Sequence, residues 1–163
     1  MTIRFDGQAV VVTGAGGGLG RAYAIEIAKR GGMVVVNDLG GATTGEQGGE
    51  TPSCADAVVD EIRATGGKAV ANYDSVVTTE GGKAIIASAL DNFGRIDAVV
   101  ANAGTMRYGN FEELALEDLN ALLAVHVGGS WTVAQAAWPH IPWQCNRPWN
   151  CPPNAPTTNP WCP

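Results

Sequence analysis

The chain has 163 residues, a length suited to one domain, and 45% hydrophobic against 16% charged residues, which excludes the composition of a disordered chain. A formal charge of −6 lacks the basic footprint of a general nucleic-acid binder. No run of about 18 apolar residues and no signal-peptide layout is present, so we expect a cytoplasmic protein with neither membrane nor nucleic acid among its partners.

Gln8 to Thr13 (QAVVVT) is a short β-branched run closed by glycines, which suits a strand buried on both faces of a parallel sheet. Arg21 to Arg30 carries Ala24, Ile27 and Ala28 at helical spacing, and Gly31-Gly32 ends that helix. Met33 to Asn37 (MVVVN) is a second strand and completes a βαβ unit. The glycine-rich stretch from Gly40 to Gly49 reads as a mobile loop, either a cover for a bound nucleotide or a tolerated insertion. Thr51-Pro52 opens a second helix, with Thr as cap and Pro where a missing N–H is no loss. Ala55, Val58, Val59 and Ile62 give it an apolar face, and Gly66-Gly67 ends it.

Lys68 to Tyr73 is the third strand, Thr79 to Phe93 the third helix, and Ile96 to Ala101 the fourth strand. A last helix is expected from Glu117 to Ala137, with Leu119, Leu122, Leu123, Val133, Ala134 and Ala137 on one face. Strands alternating with helices predict the α/β class. The architecture is a Rossmann-type doubly wound parallel sheet, incomplete, with about four strands and five helices followed by an irregular tail.

Composition breaks sharply near the end. All 22 glycines lie between Gly7 and Gly129, whereas eight of the nine prolines and three of the four cysteines follow Ser130. We therefore divide the chain into residues 1–138, the folded domain, and residues 139–163, a Pro/Trp/Cys-rich tail whose prolines forbid a helix interior or central strand. The tail is read as the product of a lost reading frame near Pro139 to Trp143. His140, Cys145, Cys151 and Cys162 have no C-x-x-C spacing, so no metal site is expected.

Thr13-Gly-Ala-Gly-Gly-Gly-Leu-Gly20 lies between the first strand and the first helix. In that context Gly14, Gly18 and Gly20 let the backbone turn and approach an anion, and the helix N-terminus offers free N–H donors. No G-x-x-x-x-G-K-[ST] occurs, which excludes a P-loop. Asp38 closes the second strand, 18 positions after Gly20, where a carboxylate accepts from ribose hydroxyls and repels a 2′-phosphate. NAD is thus expected over NADP, although Arg21 is a cation close enough in sequence to serve a phosphate. Two other readings stay open: a catalytically dead nucleotide-binding fragment, and an S-adenosylmethionine-binding fold, which also places a glycine loop after strand one.

The pattern Thr13-Gly14-x-x-x-Gly18-x-Gly20, with Asn102-Ala103-Gly104 after the fourth strand and Asp74-Ser75 after the third, resembles the short-chain dehydrogenase/reductase family over residues 5 to about 138. Val34 to Gly41 and His126 to Ser130 look like the dehydrogenase part of peroxisomal multifunctional enzymes and their bacterial relatives. The resemblance implies cofactor contacts at Gly14, Gly16, Gly17, Gly18, Leu19 and Gly20 in the loop, and at Asp38 with Leu39. It further implies Asp74 at the adenine amino group beside Ser75, and Asn102, Ala103 and Gly104 in the N-A-G motif. The implied reaction is NAD-dependent oxidation of a secondary alcohol to a ketone, with a 3-hydroxyacyl-CoA as the substrate suggested by the closer likeness. Family members form homo-oligomers, but the second of the pairing helices is absent here. His126 stands near the position of a proton-relay Asn; it is read either as a relay member or as a core histidine satisfied by one backbone carbonyl.

The family's Tyr-x-x-x-Lys and its serine are not found. No lysine follows Lys83, and Tyr108 is followed four places on by Glu112. No catalytic residue is therefore assigned, and weak or no NAD binding and no hydride transfer are expected of this chain.

Overall fold

The computed structural model describes residues 3–40 and 54–141. Four parallel strands form one sheet: β1 (Ala9–Thr13), β2 (Met33–Asn37), β3 (Lys68–Asn72) and β4 (Ala98–Val100), in the order β3-β2-β1-β4. Between them run α1 (Gly18–Lys29), α2 (Cys54–Ala64) and α3 (Thr79–Phe93). Beyond β4 come a 3-10 turn (Phe111–Glu113), α4 (Leu116–Leu123), a π turn (Ala124–Gly129) and α5 (Ser130–Ala137).

The pleat of the strands divides the core. Val10, Val12, Val34 and Val36 face α1 and α2, meeting Ala24, Ile27, Val58 and Ile62. Val11 and Val35 face the opposite side, where Ile85, Ile86 and Ala89 of α3 pack with Val133 and Ala137 of α5. Helices therefore cover both faces, as a doubly wound sheet requires. The expected bounds of α3 hold because its ends are chemically marked. Thr78 accepts the Gly81 N–H at 3.0 Å, and Gly94 closes the helix in the left-handed region at φ 71°.

Two expectations are corrected. The fourth strand is Ala98–Val100 rather than Ile96 to Ala101, because the Asp97 carboxylate takes the Ala9 N–H at 2.8 Å and the chain leaves the ladder after Val100. The last helix is also not one regular segment with one apolar face. The π turn adds a residue to one turn and rotates the following face. Val133 and Ala137 are buried, whereas Leu119, Leu123 and Ala134 are exposed. Gly129 makes the crossing close, since a Cβ there would stand 2.6 Å from Val76 Cγ2; at Gly128 it would meet only Leu123 O at 3.8 Å. The Gly40 to Gly49 loop beyond Gly40, the Thr51-Pro52 cap and the tail from residue 142 lie outside the described residues.

Candidate functional site

The site is built at the carboxyl edge of the sheet, where the strands end in polar residues. Thr13, Asn37 and Asn72 are the buried polar residues of the described chain. The register pairs Thr13 with Asn37 and Asn37 with Asn72, so they form one row across three strands. Buried polar groups must be hydrogen-bonded, and each of these organises a loop above the sheet.

Thr13 joins two loops. Its hydroxyl accepts the Asn102 N–H at 3.1 Å and the Ala103 N–H at 3.0 Å. In return the Asn102 side-chain amide donates to Thr13 O at 3.0 Å and Gly14 O at 3.2 Å. The glycine loop is drawn against this clasp. Gly14 sits at φ 63°, and a Cβ on Gly20 would meet Gly14 O at 2.2 Å and Asn102 Nδ2 at 2.6 Å. Only glycine fits there. By contrast, a Cβ at Gly17 or Gly18 would meet nothing within 4 Å. Gly17 precedes α1 and, being glycine, brings no side-chain cap to the first-turn N–H groups, and a helix start of this kind is a setting for an anion.

Asp38 stands beside this loop. Its carboxylate accepts the Gly16 N–H at 2.8 Å and the Gly40 N–H at 2.9 Å. A Cβ on Gly16 would run into Cys54 Cβ at 2.6 Å and Asp38 Cγ at 2.8 Å. Leu19 and Leu39 are exposed at 67% and 58%. Arg21 is turned to Glu61 of α2 in an ion pair, so its guanidinium already has a carboxylate partner.

Asp74 follows β3 and is tied to the polar row. Asn72 Nδ2 donates to Asp74 Oδ2 at 2.8 Å, and the Asp74 N–H donates to Asn72 Oδ1 at 3.1 Å. Asn37 Nδ2 donates to Asn72 Oδ1 at 2.8 Å and to Asp74 O at 2.9 Å. Ser75 makes a local turn, its hydroxyl accepting the Val77 N–H at 3.3 Å. The glycine loop, Asp38, Asp74 and the Asn102–Gly104 segment thus lie along one edge. Sequence reasoning missed Asn37 and Asn72; the available signal was that two apolar strands both end in Asn.

His126 is exposed rather than core, because the π turn carries it outward. Its ring covers Gly104, with Cε1 2.7 Å from where a Cβ would be. Nε2 lies 2.8 Å from Thr105 O and 3.3 Å from Thr105 N, and the ring tautomer sets which bond forms. The carbonyl partner expected from the sequence is present, but burial is not. Among the described residues no group of three His, Cys, Asp or Glu side chains is placed to hold a metal.

A family model described as short chain dehydrogenase matches residues 8–145. The chain is 55% identical over 139 residues to the mouse (Mus musculus) peroxisomal multifunctional enzyme type 2, covering 85% of this chain and 18% of that one. It is 54% identical over 134 residues to the putative short-chain type dehydrogenase/reductase Rv0148 of Mycobacterium tuberculosis, covering 82% of this chain and 46% of the relative. A crystal structure of a short chain dehydrogenase from Mycobacterium avium superposes with TM-score 0.74 at 40% identity, covering 83% and 46% of the two chains. A 7α-hydroxysteroid dehydrogenase complexed with NADH and 7-oxo glycochenodeoxycholic acid gives TM-score 0.73 at 29% identity, covering 84% and 49%. The chain therefore spans at most about half the length of these relatives.

Proposed function

The chain belongs to the short chain dehydrogenase family, and from that premise we propose that it holds the adenosine and pyrophosphate part of NAD for an oxidoreductase acting on a secondary alcohol. The observation that carries this reading is the Asp38 carboxylate, fixed by the Gly16 and Gly40 N–H groups beside an uncapped helix start. Fixed there, it accepts from ribose hydroxyls and repels a 2′-phosphate, which favours NAD over NADP. Arg21 does not offset that repulsion, because it is paired with Glu61. The residues present suit the cofactor: the glycines leave space where side chains would intrude, and the free N–H groups meet the pyrophosphate. When bound, the nicotinamide supplies the hydride acceptor.

The proposed substrate is a 3-hydroxyacyl-CoA, supported by 55% identity to a multifunctional enzyme and 54% to a relative from Neurospora crassa named a hydratase-dehydrogenase-epimerase. For this chain the proposal is weak NAD binding without turnover, since no Tyr-x-x-x-Lys is present. The proposed compartment is the cytoplasm. Among the described residues no helix is long and apolar enough to cross a membrane.

Calorimetric titration with NAD, NADP and S-adenosylmethionine tests the reading. NAD is expected to bind best, and Asp38→Ala to weaken it about tenfold or more, the loss of a charge-assisted hydrogen bond. Equal affinity in wild type and Asp38→Ala, or binding of S-adenosylmethionine alone, overturns it. Reduced nicotinamide formed on adding a 3-hydroxyacyl-CoA overturns the absence of turnover.

A further inference from the structure

At the end of the sheet opposite the glycine loop lies an open cavity of about 400 Å³, within the size range of small-molecule sites. It is bordered by the first residues of β3, the outer strand, with the start of β2 and the end of α3. The register pairs Met33 with Lys68 and Val35 with Val70, and alternation puts all four on the face that α3 covers. Met33 and Val70, both half-buried, therefore form an apolar floor with Phe93 of α3. Two cations border that floor. Arg63, in the last turn of α2, donates to Ala69 O from Nε at 3.1 Å and from Nη2 at 2.8 Å. Those bonds fix the guanidinium and leave Nη1 without a protein partner among the described residues. Lys68 is exposed and has no carboxylate partner among the described residues. Asn92 donates to Ser88 O at 2.8 Å and adds no charge. No Asp or Glu borders the cavity, although acids outnumber bases 16 to 10 in the chain. The place is locally cationic on an acidic protein.

We propose that this cavity binds an amphipathic monocarboxylate, with its apolar body on Met33, Val70 and Phe93 and its head between Lys68 and Arg63 Nη1. The donor set decides the head group. One ammonium and one guanidinium edge, the rest of that guanidinium being engaged with Ala69 O, match one carboxylate. The floor decides the body, because apolar surface is stabilised there only by a ligand that covers it. Each half of the match is modest in so open a place, and the two together give selectivity. The site is separate from the dinucleotide site and stands whether or not NAD binds.

The test is an amide NMR titration of the chain with sodium octanoate below its micellar range, compared with butyrate, octanol and inorganic phosphate. Octanoate is expected to give saturable shifts at Met33, Lys68, Val70 and Phe93, with affinity about tenfold above butyrate. Octanol lacks the charge and phosphate lacks the apolar body, so each is expected to bind about threefold or more weakly than octanoate. Lys68→Gln changes an exposed side chain and is expected to weaken octanoate about threefold while leaving octanol unchanged. Saturable shifts confined to other exposed apolar residues, such as Leu123 and Trp131, overturn the proposal. So does octanoate binding no better than butyrate, octanol or phosphate, and so does an octanoate affinity unmoved in Lys68→Gln.

Discussion

Replacing Gly20 by Ala sets helix propensity against packing. Gly20 lies in the first turn of α1, where Ala is intrinsically favoured by about 1 kcal/mol. Its Cβ, however, would stand 2.2 Å from Gly14 O and 2.6 Å from Asn102 Nδ2. The first contact is backbone and cannot rotate away. Overpacking of this kind costs about 1–3 kcal/mol. Displacing Asn102 also breaks its bonds to Thr13 O and Gly14 O, each about 1 kcal/mol. Packing wins, and we expect Gly20→Ala to destabilise by about 2–4 kcal/mol, a melting-point fall of about 4 °C or more. Gly17→Ala is the control. Its Cβ meets nothing within 4 Å and its φ of −158° suits any residue, so a change within about 0.5 kcal/mol is expected. Thermal and urea unfolding of both variants measure this. A Gly20→Ala protein as stable as wild type refutes the clasp between the two loops.

Asp97 joins the start of β4 to β1, and its titration is expected to affect acid stability. Burial pushes its pKa up, but the Arg95 hydrogen bond, the Ala9 N–H and the Arg95 charge together hold it below the usual carboxylate value. A group depressed in the folded state adds stability above its unfolded pKa of about 3.9, and that stability is lost as pH falls through the folded value. Asp97→Asn is therefore expected to lower stability at neutral pH and to flatten its dependence on pH below about 4, measured by urea unfolding across that range. The outer edge of β4 has no strand partner among the described residues, and such edges template association. Ala101→Lys places a charge beside that edge and is expected to reduce concentration-dependent light scattering. His126→Leu removes the ring nitrogen that meets Thr105; with Nε2 as acceptor the Thr105 amide is expected to exchange faster in the variant, and an unchanged rate assigns Nε2 as donor to Thr105 O.

Much of the fold was legible because its signals are local. QAVVVT, MVVVN and the run from Lys68 each carry the apolar content of a buried parallel strand, and the Thr78 and Gly94 ends of α3 mark themselves. The π turn was not legible. Its residues, Ala124–Gly129, have ordinary right-handed geometry at both flanks, and no residue type among them says that the face would rotate. Asp38 and the glycine loop could be placed from spacing, since a strand, a tight turn and a helix are consecutive in the chain. Asn37 and Asn72 could not, because a strand-terminal Asn looks like a solvated end until the register puts both in one buried row. Asn102 was read as a cofactor residue by resemblance; its side chain is engaged in joining the loops, a role visible only once β1 and β4 are neighbours.

The most direct test of the dinucleotide site is an amide NMR titration of the chain with NAD. The account predicts the largest shifts at Gly16, Gly17, Gly18 and Gly40, with smaller ones around Asp74, and little change at the opposite end of the sheet near Met33 and Lys68. Shifts absent from the glycine loop, or spread evenly over the surface, would contradict it.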